Sequence, residues 1–255
     1  MSKYLDPKAD LTFKRVFGEH KHLVKSLLNA LLPLPEGMVI EEVEYLTSEN
    51  VPDNPQRKYS IVDVKCRDNY GRYFIVEMQK YWNQAFFSRT LYNSIQVYGK
   101  QLKRGESFSD LKNVYSLNLV NDIAFADYQN EYIQEYYLTN KNHPEEIHTD
   151  LSLIFVELPK YKSTNKGEQK LKDLWLKFLT EINENTIDGD SSLLENSDTK
   201  EALQIVERMA YTSDEIELYE KYWLDVSTEH TALGNARFEG IQIGLEQGEK
   251  IGLDK

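Results

Sequence analysis

The chain has a single cysteine, Cys66, among 255 residues. A lone cysteine excludes an internal disulfide and fits a reducing compartment, so a cytoplasmic location is expected. No apolar run of about 18 residues occurs, and no membrane span is expected. The first residues, MSKYLDPKADL, lack the apolar stretch of a secretory leader. No glycine-rich phosphate loop follows a strand-like segment, which argues against a nucleotide-hydrolysing motor. The five histidines (His20, His22, His143, His148 and His230) have no cysteine or carboxylate partner at metal-ligand spacing. Ser88 and Cys66 have no evident base for covalent catalysis.

Positive charge is also scarce. Lys and Arg number 30 against 42 Asp and Glu, a net charge of −12. Taken alone, that disfavours nucleic acid as a partner. The deficit is uneven. Residues 1–115 carry 17 basic against 14 acidic side chains, or +3, and residues 116–255 carry 13 against 28, or −15. The acidity therefore belongs to the second half, and the first half keeps a basic balance compatible with weak, salt-sensitive DNA binding.

Hydrophobic residues make up 40% and aromatics 12%, enough for a sizeable core. The stretch that organises the chain is Tyr59 to Gln79, YSIVDVKCRDNYGRYFIVEMQ. It reads as two strands around the turn signal Asp68-Asn69-Tyr70-Gly71. Asp63, Glu77 and Gln79 interrupt the apolar runs, and Asp is depleted in strands. Glu77 and Gln79 share a face, with Met78 on the other. Counting outward from a turn centre near residue 70 places Asp63 opposite Glu77. Two facing carboxylates repel unless a cation lies between them, and a hard divalent ion such as Mg²⁺ suits oxygen ligands.

Asp63, followed by Glu77-Met78-Gln79, resembles the D…(D/E)-x-K core of the PD-(D/E)XK nuclease superfamily. The resemblance is closest to the branch with Gln in the last place, the recombination-promoting nuclease or PD-(D/E)XK transposase-like family. Asp10-x-x-Phe13-Lys14-x-x-Phe17 resembles that family's first helix. Arg89, Tyr92, Tyr98 and Gly105 sit as in its helix after the ExQ strand, and Glu157-Leu158-Pro159-Lys160 resembles its ELPK segment. The ordered set spans roughly residues 4–160 and the tail.

The resemblance implies a Mg²⁺- or Mn²⁺-dependent DNA endonuclease that promotes recombination or transposition-like events. Asp63, Glu77 and the carbonyl of Met78 would hold the metal, and Gln79 would orient the attacking water. Gln79 carries no charge, so a cation from elsewhere is needed. Lys65, two residues from Asp63, and Lys14 are the candidates, with Lys80 the weakest. Lys14, Arg89, Arg57 and Lys58 are candidate DNA contacts, against the plainer reading of solvated charges and a structural ion pair. Asp10 is either an additional acid of the site or a helix N-cap. Two rival readings stay open: a catalytically degenerate DNA-binding protein, and an oligomerising interaction protein.

The pattern predicts an α/β fold, a mixed central β-sheet flanked by helices with a helical C-terminal region; the resemblance makes its core restriction-endonuclease-like. Helices are predicted at 7–32, 83–104, 166–185, 200–210 and 214–234, with strands at 39–46, 114–120, 131–138 and 151–158 besides the central pair. The expected division is a nuclease-like domain at 1–160, a helical region at 161–234 and a tail at 235–255. In the tail, Gly240, Gly244, Gly248 and Gly252 recur every fourth residue. Glycine costs about 1 kcal/mol per helical position relative to Ala. The tail is therefore either a frayed end or a close-packed helix contact in a homo-oligomer.

Overall fold

A computed structural model describes residues 3–50, 60–162 and 171–253. Arg57 and Lys58 lie outside the described residues. The polypeptide divides into two units, 1–212 and 213–255.

The first unit is built on six strands: β1 (Val43–Tyr45), β4 (Val64–Asp68), β5 (Tyr73–Gln79), β6 (Val114–Val120), β7 (Ile133–Asn140) and β8 (His143–Glu157). Their order is β1-β4-β5-β6-β8-β7. β5, β6 and β8 run parallel; β1, β4 and β7 are antiparallel to their neighbours. A separate pair, β2 (Glu49–Asn50) and β3 (Ser60–Ile61), lies just before the central hairpin.

That hairpin has the register its sequence dictates. Val64 pairs with Val76 and Cys66 with Phe74, so the axis of pairing falls at residue 70. The turn is fixed by Asp68, whose Oδ1 accepts from the backbone N–H of Tyr70 and of Arg72 at 3.0 and 2.9 Å. Gly71 closes it at φ +83°, a conformation that suits glycine. The predicted first strand of the hairpin is broken, however. β3 ends at Ile61 and β4 begins at Val64, leaving Asp63 on a bend.

One face of the sheet carries Val64, Cys66, Phe74, Val76, Leu117, Leu119, Ile154 and Val156. They share a core with α2 (Lys21–Leu31), α4 (Leu171–Glu181) and α6 (Ser197–Ile205), where Phe178 meets Phe17 and Trp175 edge to face and Phe17 lies tilted against Trp175. α5 (Ser191–Glu195) precedes α6. The segment 171–205 is thus part of the first unit's own core. The other face is covered by α3 (Gln84–Gly99), which buries Phe86, Thr90, Asn93, Ser94 and Val97.

Several elements differ from expectation. The predicted helix 7–32 is broken into α1 (Asp10–Phe13), a π-helical turn at Lys14–Gly18, and α2. Ala9, not Asp10, is the N-cap of α1. α3 stops at Gly99 instead of residue 104. β7 and β8 run on into a hairpin whose residues 138–148 are exposed. In the second unit, the predicted helix 214–234 and the tail as far as Leu253 form one helix, α7 (Ser213–Leu253), which contains the glycine repeat.

Candidate active site

Asp63 and Glu77 meet at the carboxyl end of β5. Asp63 Oδ2 accepts a 2.7 Å hydrogen bond from the backbone N–H of Met78. This bond extends the β4–β5 pairing by one step: the ladder ends at Val64–Val76, and a side chain takes over where the backbone bends away. The N–H and C=O of one strand residue point to the same strand edge. The Met78 carbonyl therefore faces the Asp63 side, beyond the last β4–β5 pair.

Glu77 is only 5% exposed. Its Oε1 accepts from Asn93 Nδ2 at 3.1 Å. The sequence motifs do not include Asn93. The signal was present in the helical spacing: Asn93 lies one turn beyond Arg89, and Arg89 Nη2 donates to Gln79 Oε1 at 2.7 Å. Gln79 Nε2 in turn donates to the carbonyl of Tyr81 at 2.7 Å. Beneath this layer Thr90 donates to Asn118, which is itself fully buried and bonded to Ser116 and Ile154. Polar α3 side chains thus hold polar sheet side chains across an otherwise apolar contact.

The two carboxyl groups both resist ionisation. Burial raises the Asp63 pKa, and the charge of Asp10 adds to it, against the Met78 N–H, Lys14 and Arg89. Burial raises Glu77 as well, followed by the charge of Asp63; Arg89, Asn93 and Lys14 oppose this. Asp63 therefore raises the cost of ionising Glu77, as expected for carboxylates sharing a site.

Lys14 approaches from the helical layer on the other face of the sheet, on the π turn. It pairs with Asp10 at 2.7 Å. Burial alone would lower its pKa, but the hydrogen bond and charge of Asp10, then Asp63 and Glu77, raise it overall. Asp10, Lys14, Asp63, Glu77 and Arg89 thus form one electrostatic group. Lys65 is placed differently. Its Nζ donates to Asn50 Oδ1 at 3.1 Å and reaches the Glu49 carbonyl at 3.5 Å, both on β2. Burial lowers its pKa, followed by repulsion from Lys100. Lys80 feels Asp6, Lys8 and Glu184, none of them site acids.

Among the described residues, no three His, Cys, Asp or Glu side chains converge as a metal cluster. The donor set is smaller: two adjacent carboxyl groups and a main-chain carbonyl. Mg²⁺ suits such a set, since it binds one or two carboxylates and keeps its remaining waters for phosphate. One further group fits an occupied polar site: Asn93 Oδ1 is buried with no hydrogen-bond partner.

Glu157 and Lys160, in the ELPK segment, are part of a clamp. Glu157 Oε1 accepts from the N–H of Ala124 and Phe125, and Lys160 Nζ donates to Glu157, Phe125 and Tyr128. They fix the 121–131 loop beside the end of β6.

A mixed six-stranded sheet with an acid pair at the end of its central hairpin defines a restriction-endonuclease-like nuclease core. A family model for the PD-(D/E)XK nuclease family transposases matches residues 7–229, and the chain belongs to that family. No curated protein and no solved structure matches the chain. Among the described residues, no helix is long and apolar enough to cross a membrane.

Proposed function

We propose that the protein is a Mg²⁺-dependent DNA endonuclease, able to use Mn²⁺, that promotes recombination or transposition-like events. The observation that carries this reading is the pair of ionisation-resistant carboxyl groups, Asp63 and Glu77, at the carboxyl end of β5, where the Met78 carbonyl faces the Asp63 side. Asp63, Glu77 and that carbonyl would hold the ion. When bound, the ion would lower the pKa of a water and offset charge on the scissile phosphate.

The chain's own groups have separate tasks. Asn93 holds the Glu77 carboxyl from α3, and the Met78 N–H holds Asp63. Gln79 orients the attacking water. Lys14, tethered by Asp10, supplies positive charge from the first helical layer and with Arg89 meets DNA phosphate. Arg57 and Lys58 are proposed as further phosphate contacts, and Lys65 as a more distant charge on the β2 side. The buried, unpaired thiol of Cys66 fits a reducing compartment, and we place the protein in the cytoplasm.

The test is incubation of the purified protein with supercoiled plasmid and Mg²⁺ or Mn²⁺, beside Asp63→Ala and Glu77→Ala. Nicking or linearisation by the parent and by neither variant supports the enzyme. Equal cutting by all three defeats the site assignment. Absence of cutting with retained DNA binding favours the degenerate binder.

A second reading, self-association through α7, has its own support. Phe238, Ile241, Ile243 and Leu245 are more than half exposed. A Cβ added at Gly240 or Gly244 would meet nothing within 4 Å. Among the described residues, nothing therefore demands glycine there. Light scattering that returned a monomer at all concentrations would remove this reading.

A further inference from the structure

The wider superfamily's D…(D/E)-x-K core ends in a lysine, and this chain has Gln79. An amide orients a water but brings no charge. We infer that Arg89 supplies the missing cation by gripping Gln79, so that the two side chains together do what one lysine does elsewhere. This inference rests on the nuclease reading above.

α3 packs on β5 in step. Three contacts run in order along both elements. Arg89 meets Gln79, Asn93 meets Glu77, and Val97 packs in one cluster with Ile75. Four helical residues advance about 6.0 Å and two strand residues about 6.6 Å. The spacings nearly match, so the helix and strand stay in step through all three pairs. The lower two pairs are buried and set the register. The uppermost pair is thereby placed at the open end, where the substrate must enter.

Arg89 is held there by more than one contact. Its guanidinium lies 4.9 Å from the centre of the Phe86 ring, one turn earlier on the same face. Nη2 donates to Gln79 Oε1 at 2.7 Å. A guanidinium has five donors, and Arg89 is exposed, so other N–H groups remain for a phosphate oxygen. The amide is fixed from its other end by the Tyr81 carbonyl. Gln79 is therefore pinned at both ends, with one N–H of its Nε2 still to be directed at a water or substrate oxygen. The charge of Arg89 also reaches both acids of the site.

The arrangement explains why glutamine suits position 79. A lysine there would set an ammonium against the Arg89 guanidinium. The two positions are coupled, and the sign of one substitution depends on the other. Arg89 acts through Gln79 and is a positioning residue, although it also lies within reach of substrate phosphate.

The experiment compares the parent, Arg89→Met, Gln79→Lys and the double variant. Plasmid cleavage is read as kcat and KM, beside Mn²⁺ affinity and the side-chain amide NMR signals of ¹⁵N-labelled Gln79. Arg89→Met is expected to lose about 10²- to 10³-fold in kcat, the range for removing one fixed donor to developing charge. Its Mn²⁺ affinity should stay within about threefold, because Arg89 is no ligand. The Gln79 amide should shift and become more mobile even without metal or DNA. Gln79→Lys alone should be impaired, and the double variant should recover to within about tenfold of the parent.

A purely phosphate-binding Arg89 would instead raise KM, steepen no loss in kcat, and leave the Gln79 amide unchanged; that result overturns the inference. So does a double variant no better than Arg89→Met with its fold intact. If the parent itself fails to cut, the nuclease reading fails, and the amide signals alone decide whether Arg89 holds Gln79.

Discussion

Asp63 and Glu77 are placed at a cost to the apo fold. In the folded chain both have raised pKa values, because burial penalises charge and, for Glu77, the charge of Asp63 adds to it. The folded state therefore binds more protons than the unfolded state above the ordinary carboxylate range, near pH 4. Stability contributed by the protonated pair is present at low pH and is lost as pH rises through the raised pKa values. The apo protein is expected to melt at lower temperature at pH 8 than at pH 5. Glu77→Gln should flatten this dependence and raise the pH 8 melting temperature, by roughly 2–4 °C per kcal/mol of repulsion relieved. Differential scanning fluorimetry across pH checks both; a Glu77→Gln profile parallel to the parent would contradict the coupling. Adding Mn²⁺ should stabilise the parent more at pH 8 than at pH 6, since its ligands must be deprotonated.

At the scale of elements, the site depends on α3 keeping step with β5. Asn83 caps that helix, its side chain accepting from the Phe86 N–H at 2.9 Å. Asn83→Ala is expected to cost about 1 kcal/mol and to lower the melting temperature by a few degrees, without changing Mn²⁺ stoichiometry. Calorimetry showing a lost binding site in this variant would mean the helix start does more than cap. The hairpin pairing was legible in the sequence because a turn centre and a strand period suffice to place Asp63 opposite Glu77. Asn93 was not, because its role requires knowing which face of α3 turns to the sheet and at what height. The π turn was hidden for a similar reason. Phe13, Val16 and Phe17 satisfy a helical pattern whether or not one extra residue is inserted, and only the packed core shows that Lys14 is carried to the site by that turn. Lys65 lies on the predicted strand, but the break at residues 62–63 lets β2 take its ammonium.

Over the whole molecule, charge and function are unevenly spread. The +3 balance of residues 1–115 accompanies the acid pair, α3 and the π turn, and the −15 balance lies in the remainder. DNA affinity is expected to fall with salt, with a log–log slope of only a few units, since the proposed phosphate contacts are Lys14, Arg89, Arg57 and Lys58. Fluorescence anisotropy between 50 and 200 mM salt (conditions of the kind over which such slopes develop) measures it; a salt-independent affinity would contradict phosphate contact. The segment from residue 235 onward is the counterpart case. Its described side chains are exposed on α7, so deleting 235–255 is expected to move the main melting transition by less than about 2 °C, as for other surface changes.

The proposed nuclease chemistry depends most directly on metal binding by Asp63 and Glu77. Titration calorimetry of Mn²⁺ into the apo protein at pH 8 should give a binding isotherm in the parent and none in Asp63→Ala or Glu77→Gln, with both variants folded by circular dichroism. Equal Mn²⁺ binding by parent and variants would show that Asp63 and Glu77 are not the metal ligands.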